Sequence, residues 1–369
     1  MKKVVVLGIK EYSLEIIKER VKEVIFKHFP LHKFLLPHEK IILKPNLLME
    51  SGPEEAITTH PIFIEAIGSI FKEIGYPVSI ADTTGGFADS KSMETIYSAT
   101  GIKEAAARQG LELLFPNKTI IYEHIPFCWW VEGFKMINLP KLKTHDIMIL
   151  TLEVKNLYGC INGLHKSHLH KVYTKAESLA NFLLELPALI KPSLNIVVGI
   201  LALEGNGPAR SGRPKKLNMV VIGDYPLYVD YAIAKLLGLK DDINPLIKVA
   251  KEKRILLEEE LELISEITAK EVEGFRFPAP FILNSMPTPL IFFFKLLFKF
   301  KPQVNKNKCT GCRICEEVCP VKAISLKEQK AVIDYKICIL CMCCAEMCRA
   351  GAVDLDRGSI LKIIDYIRR

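Results

Sequence analysis

Eight cysteines in two matching runs carry the clearest chemistry in this sequence. The first run is Cys309-x2-Cys312-x2-Cys315-x3-Cys319, followed by Pro320. After a spacer of eighteen residues, the second repeats the spacing as Cys338-x2-Cys341-x2-Cys344-x3-Cys348. Short spacings let one loop wrap three corners of an iron–sulfur cube, and a helical turn then carries the fourth thiolate to the other cube. The crossing rule predicts one [4Fe–4S] cluster on Cys309, Cys312, Cys315 and Cys348. The second would rest on Cys338, Cys341, Cys344 and Cys319. Thiolates also suit zinc, but zinc ribbons use two CxxC pairs rather than two four-cysteine runs. Arg349 stands where a proline usually follows the last cysteine. Cys343 would leave spacings of one and four, so it is read as a spare thiol packed near the cube.

Polar residues at the ends of apolar runs form a second group of candidates. Lys143 and His145 precede an apolar run, and Lys155 and Asn156 follow it. Lysine and histidine at strand ends of an α/β sheet meet ligands in the crevice there. Lys143 and Lys155 are expected to hold an anionic group, with His145 exchanging a proton. His165, Lys166, His168, His170 and Lys171 read instead as a solvated basic loop. Asp82, before a Thr-Thr-Gly-Gly turn, either approaches a ligand, joins His60 or His145 around a metal, or caps the next helix. Glu204 and Asn206, in the glycine-containing stretch EGNGP after the strongest strand, are further binding candidates, whereas Asp224 and Asp230 read as caps of the helix between them. Cys160 is a weak nucleophile candidate, and Cys128 reads as packing.

These groups need elements to position them. Residues 3–8, 40–44, 76–82, 194–203 and 217–224 read as strands, and 119–122, 135–138 and 145–153 as shorter ones. Helices are expected over 14–28, from Pro61 toward Gly75, over 177–190, through Val229–Leu236, and as a charged amphipathic segment over 247–263. Strands alternating with helices predict an α/β domain with a largely parallel sheet over 1–275. A small α+β ferredoxin-like domain is expected over 303–369, closed by a helix at SILKIIDYIRR. Between them, 276–302 reads as an apolar and basic linker. Its run from Pro289 to Leu297 is about half a membrane span and is punctuated by Lys295, Lys299 and Lys301, so it is read as packing, with a membrane-surface contact through 289–301 as the alternative.

Composition narrows the function. The chain has 369 residues, 49% hydrophobic and 25% charged, with eleven cysteines, of which eight are in the runs. Free thiols and low-potential clusters predict a reducing, oxygen-poor cytoplasm. The formal charge of +8 falls to roughly +4 once two cubes with four thiolates each add about −4. That balance points to an anionic small molecule or a redox partner, a protein or a small-molecule electron donor, and not to nucleic acid. No GxGxxG, Walker A or GxSxG signature is present.

The stretches LKPN (43–46), TTHP (58–61), ADTTGG (81–86), LPKLKTHDIMILTLEVKNLYG (139–159), LEGNGP (203–208) and GDYPLYVD (223–230) resemble the family called domain of unknown function 362, often fused to a C-terminal two-cluster ferredoxin domain. The resemblance runs over roughly residues 1–275. One departure is Val198, where relatives tend to carry aspartate. The resemblance implies an architecture and an iron–sulfur cofactor, and no substrate. The expected function is an iron–sulfur oxidoreductase or electron-transfer protein relaying electrons to a site in the α/β domain. A further metal or small-molecule cofactor there stays open. The alternative is a binding, sensing or maturation module with structural clusters.

Overall fold

The computed structural model describes residues 1–86, 89–278 and 301–356. The N-terminal part is a ten-stranded sheet between two helical layers. Its elements in chain order are β1 (Lys2–Gly8), α1 (Leu14–His28), β2 (Ile41–Pro45), α2 (Pro61–Glu73), β3 (Val78–Ile80), α3 (Ser90–Ala99), α4 (Ile102–Gln109) and β4 (Glu112–Leu113). A separate hairpin follows, β5 (Thr119–Tyr122) and β6 (Ile125–Cys128), then β7 (Lys135–Leu139), β8 (Lys141–His145), β9 (Ile149–Thr151) and α5 (Glu153–Leu157). The rest comprises α6 (His165–Val172), α7 (Ala176–Leu183), α8 (Leu186–Ile190), β10 (Leu194–Gly205), β11 (Gly212–Gly223), α9 (Pro226–Leu236), α10 (Pro245–Glu252) and β12 (Leu261–Ser265).

The strand order is β12-β1-β11-β10-β7-β2-β3-β4, with β8 beside β10 and β9 beside β8. Pairing is parallel except where β11 meets β1 and β10, and where β9 meets β8. Strands covered on both faces have no polar side to show, so they read as continuous apolar runs. In β1, Val4 and Val6 enter one core while Val5 and Leu7 enter the other, as the two-residue period requires. The second core receives α1 through Ile17, Val21, Val24 and Ile25, one stripe of a 3.6-residue period. Ser13 caps that helix by accepting from the Ile16 N–H.

Three expected elements came out differently. The charged segment 247–263 is not one helix: α10 ends at Glu252, and Leu261–Ser265 adds to the sheet as β12, parallel to β1. Arg254 at φ 57° turns the chain, and the Ile255 N–H closes on the Ala250 carbonyl at 2.9 Å. This is a Schellman-type stop without its usual glycine. The run 145–153 is not one strand either. Ile149 sits at φ 65°, and the His145 imidazole Nδ1 accepts from the Ile147 and Met148 N–H groups at 3.1 and 3.3 Å. The side chain thereby makes the turn between β8 and β9. Likewise 177–190 is split into α7 and α8, the latter opening with Pro187 in its first turn.

The cysteine-rich region is built from two antiparallel pairs, β13 (Lys301–Val304) with β16 (Val353–Asp356) and β14 (Ile324–Lys327) with β15 (Lys330–Ile333). Each cysteine run bends through a left-handed residue, Arg313 in one and Met342 in the other, into a single helical turn, Ile314–Glu317 or Cys343–Glu346. The sequence repeat is therefore a backbone repeat. The linker run 281–300 and the expected closing helix at 359–369 lie outside the described residues. Among the described residues no helix is long and apolar enough to cross a membrane.

Candidate functional site

Parallel strands β2 and β3 end side by side, which sets Lys44–Leu48 next to Asp82–Thr84 on one edge of the sheet. Alternation along β8 then puts Lys143 and His145 on a common face. Helix α5 adds Lys155 and Asn156, and α6 adds Lys166, Ser167 and His170. The remaining wall comes from the cysteine-rich region, through Cys343, Glu346 and Met347. Together they line a partly open cavity, with about 670 Å³ of empty space including its solvent-facing mouth.

Its floor is a buried ion pair. Lys44 Nζ lies 2.7 Å from Asp82 Oδ1, with both side chains at most 2% exposed. The other carboxylate oxygen accepts from the Leu47 N–H at 2.6 Å. Asp82 therefore does not cap α3, which Asp89 does, and His60 is stacked on Tyr12 away from it. Gly159 leaves room for the pair: a Cβ there would lie 2.5 Å from Lys44 Nζ and 2.7 Å from Asp82 Oδ1. Gly159→Ala is expected to lower stability by about 1–3 kcal/mol, the usual cost of overpacking. Denaturant midpoints of the two proteins check it.

The other cations are not neutralised in this way. Lys143 Nζ donates to the Ile57 carbonyl at 2.9 Å, and burial pushes its pKa down to about 7. Lys155 Nζ stands 4.5 Å from the Tyr158 ring centroid, and burial lowers it too, against the pull of Glu346. Lys166 donates to the Thr83 and Thr84 carbonyls, with its pKa pushed by burial to about 8. Burial likewise takes His170 to about 4.

His145 has its Nδ1 occupied as an acceptor, so the neutral ring carries its proton on Nε2. That atom is 3.3 Å from Glu346 Oε1, but the two are not aligned as a hydrogen bond. Burial keeps the imidazole below its ordinary range, while Glu346 stays ionised because His145 and Lys155 outweigh its burial. His145 Nε2, Glu346 Oε1 and the Thr151 hydroxyl are buried without a hydrogen-bond partner among the described residues, and all three residues line the cavity.

Asn156 has a different role. Its amide binds Asn138 Oδ1 at 2.8 Å and the Lys44 and Pro45 carbonyls, and its Oδ1 accepts from Asn46. It fastens α5 to β2 and β7, and so orients Lys155. Asp230 lies within α9 and does not cap it. Its carboxylate accepts from the Glu153 and Val154 N–H groups, holding the start of α5.

Three sequence candidates lie outside the cavity. His60 caps α2 and stacks on Tyr12, with ring centroids 3.6 Å apart. Glu204 accepts from the Arg276 N–H at 3.0 Å, and Asn206 follows it in the loop beyond β10. The basic stretch 165–171 is not a solvated loop: it forms most of α6, with Lys166 and His170 buried. Cys128 and Cys160 are buried, and burial pushes the Cys128 thiol up to about 12 and the Cys160 thiol higher. Lys44, Thr151, Tyr158, Glu346 and Met347 were not foreseen as site residues. Lys44 had a signal inside LKPN, and Thr151 and Tyr158 inside the stretch 139–159.

Docking of the cysteine-rich region explains two sequence oddities. Arg349, in place of proline, reaches Glu50 at 3.0 Å. The glycines of ADTTGG face Met347: a Cβ on Gly86 would lie 3.1 Å from Met347 Cε, and one on Gly85 3.4 Å from its Sδ. The backbone can approach Met347 because no side chain intervenes.

Within that region the cysteines gather around two cavities. Cys309, Cys312, Cys315 and Cys348 line one, and Cys319, Cys338, Cys341 and Cys344 line the other. Backbone N–H groups of Ala331, Ala323 and Ala352 point at Cys309, Cys319 and Cys348 Sγ at 3.4, 3.2 and 3.2 Å. Four thiols around an apolar hollow with N–H donors to sulfur fit an iron–sulfur cube. Cys343 lines the second of these cavities and also the polar cavity.

A family model described as "Domain of unknown function (DUF362)" matches residues 41–235, and one described as "4Fe-4S binding domain" matches residues 302–325. A thylakoid-associated protein of Synechocystis sp. is 29% identical over 213 residues, 56% of this chain and 65% of that protein. An uncharacterized protein of Methanocaldococcus jannaschii is 37% identical over 83 residues, 22% of this chain and 32% of that protein. The chain thus spans less than two thirds of either relative.

Proposed function

We propose, from the premise that the chain belongs to the family described as domain of unknown function (DUF362), that it is an iron–sulfur oxidoreductase relaying electrons through two [4Fe–4S] clusters to a small anionic molecule in the polar cavity. The family description assigns no activity, so the reading rests on the site. One observation carries it: Cys343 is common to the wall of the polar cavity and to the cavity of Cys319, Cys338, Cys341 and Cys344. In this reading each four-cysteine set holds one cluster. The set containing exposed Cys312 faces the donor, and the other faces the substrate. Bound clusters supply one-electron transfer at potentials set by burial and N–H···S bonds.

The chain's own residues handle charge and protons. Lys155 anchors the anionic group, and Asn156 and Asp230 keep α5, and with it Lys155, in place. His145 offers Nε2–H to an oxygen on which negative charge develops. Lys143, with its pKa near 7, is better matched than the buried neutral imidazole to deliver a proton at neutral pH. Glu346 balances the positive charge that a substrate leaves behind.

Lys155→Met provides the test. Removing a cation beside one cluster disfavours its reduced, more negative form. In an anaerobic potentiometric titration followed by EPR, the potential of one cluster is expected to fall while the other stays put. Unchanged potentials for both would separate the cavity from the clusters and end the relay reading.

A further inference from the structure

We infer that the polar cavity is built for a dianionic oxyanion head group of the phosphate type, held between Lys143, Lys155, the Thr151 hydroxyl and His145 Nε2–H. This rests on the reading of the cavity as the substrate site and names the part of the substrate it recognises.

The charge inventory is the first argument. Three lysines line the cavity, Lys143, Lys155 and Lys166, with Lys44 behind Asp82, against two carboxylates, Asp82 and Glu346. Lys44 is matched by Asp82, and Lys166 spends its N–H groups on the Thr83 and Thr84 carbonyls. Among the described residues, Lys143 and Lys155 have no ion-pair partner. Glu346, whose Oε1 lies 3.3 Å from His145 Nε2 without a hydrogen bond to it, is the one carboxylate left to face both lysines. With both lysines protonated, two ammonium groups outnumber the one carboxylate, Glu346, in a largely buried space, and an anionic ligand that brings its own proton to Lys143 relieves the excess.

Donor count is the second argument. Lys143 uses one of its three N–H groups on Ile57, and Lys155 meets only the Tyr158 face. Thr151 Oγ1 and His145 Nε2 are buried and unpartnered. Donors from two ammoniums, a hydroxyl and an imidazole exceed what a single carboxylate fills, and suit an oxyanion with three oxygens.

Binding should draw in a proton. The groups facing Lys143 are Glu346 from the cysteine-rich region, Lys155 from α5, Asp82 and Lys44 from the β3 and β2 ends, and Lys141 and His145 from its own strand. A dianion beside Lys143 raises its pKa above the unliganded value of about 7. Above pH 7 the empty site holds Lys143 largely neutral, so ligation takes up as much as about one proton.

The experiment is isothermal calorimetry on the cluster-loaded full chain with inorganic phosphate at pH 8, in two buffers of different ionisation enthalpy. Saturable binding with proton uptake is expected, with acetate at least ~10-fold weaker. Lys155→Met and Thr151→Val should each weaken phosphate by ~10-fold or more, the scale of a charge-assisted hydrogen bond. Lys143→Met should abolish the proton uptake, and circular dichroism verifies its folding. No phosphate binding, equal binding of acetate, or wild-type affinity in both Lys155→Met and Thr151→Val overturns the inference. The relay is read separately from cluster potentials: if Lys155→Met shifts one potential and phosphate still fails to bind, only the dianion falls.

Discussion

Asp82→Ala is expected to lose about 3–5 kcal/mol of stability, because it leaves the buried Lys44 ammonium without its counter-ion and with only the Pro45 carbonyl to donate to. The loss has a second part. The Leu47 N–H, which Asp82 accepts at 2.6 Å, is left without its acceptor. Urea unfolding followed by the fluorescence of Trp129 and Trp130, both in the sheet-containing part, gives the midpoint shift. Replacing both partners, as Lys44→Met with Asp82→Leu, should recover most of the loss, since apolar substitution of a buried pair is often near neutral. A single Asp82→Ala change within 1 kcal/mol of the wild type, well below the loss that breaking a buried pair normally causes, would show that the pair is open to water.

Cys344→Ser is expected to halve the iron content, from about eight atoms per chain to about four, by removing one corner of the cluster nearest the polar cavity. Cys315→Ser should halve it as well, through the other set. The two losses differ in consequence. Only Cys344→Ser removes the cluster whose potential responds to Lys155, because Cys343 and Glu346 of the same helical turn line the cavity. Cys343→Ser should keep the full complement. Iron analysis and EPR of anaerobically prepared proteins decide each point, and a Cys343→Ser protein that loses iron would mean that the ninth cysteine is a ligand.

Much of the architecture was legible because its signals are local. The alternation of β1, the stripe of α1, the proline that opens α2 and the repeated cysteine spacing all depend on neighbours in the chain. What failed also has local causes. Arg254 and Ile149 take left-handed conformations without glycine, and no residue type announces that. The His145 side chain makes a turn with its own backbone neighbours, which an apolar run on either side conceals.

The cysteine spacing by itself determined the kind of cofactor, since four thiolates at short intervals are a property of one loop. Polar residues flanking an apolar run put Lys143, His145 and Lys155 forward as candidates. Tertiary structure alone decided that these three meet Asp82, Lys166 and His170 around a single cavity. It separated His60 and Glu204 from that cavity and bound Asn156 into the frame. It also supplied the wall that no motif in the first 275 residues contains, Cys343, Glu346 and Met347. The physical reason is that a cavity wall is made by packing distant segments, with some 200 residues of chain between His145 and Glu346. Burial, which moves the lysine pKa values and leaves polar atoms unpartnered, exists only once those segments meet.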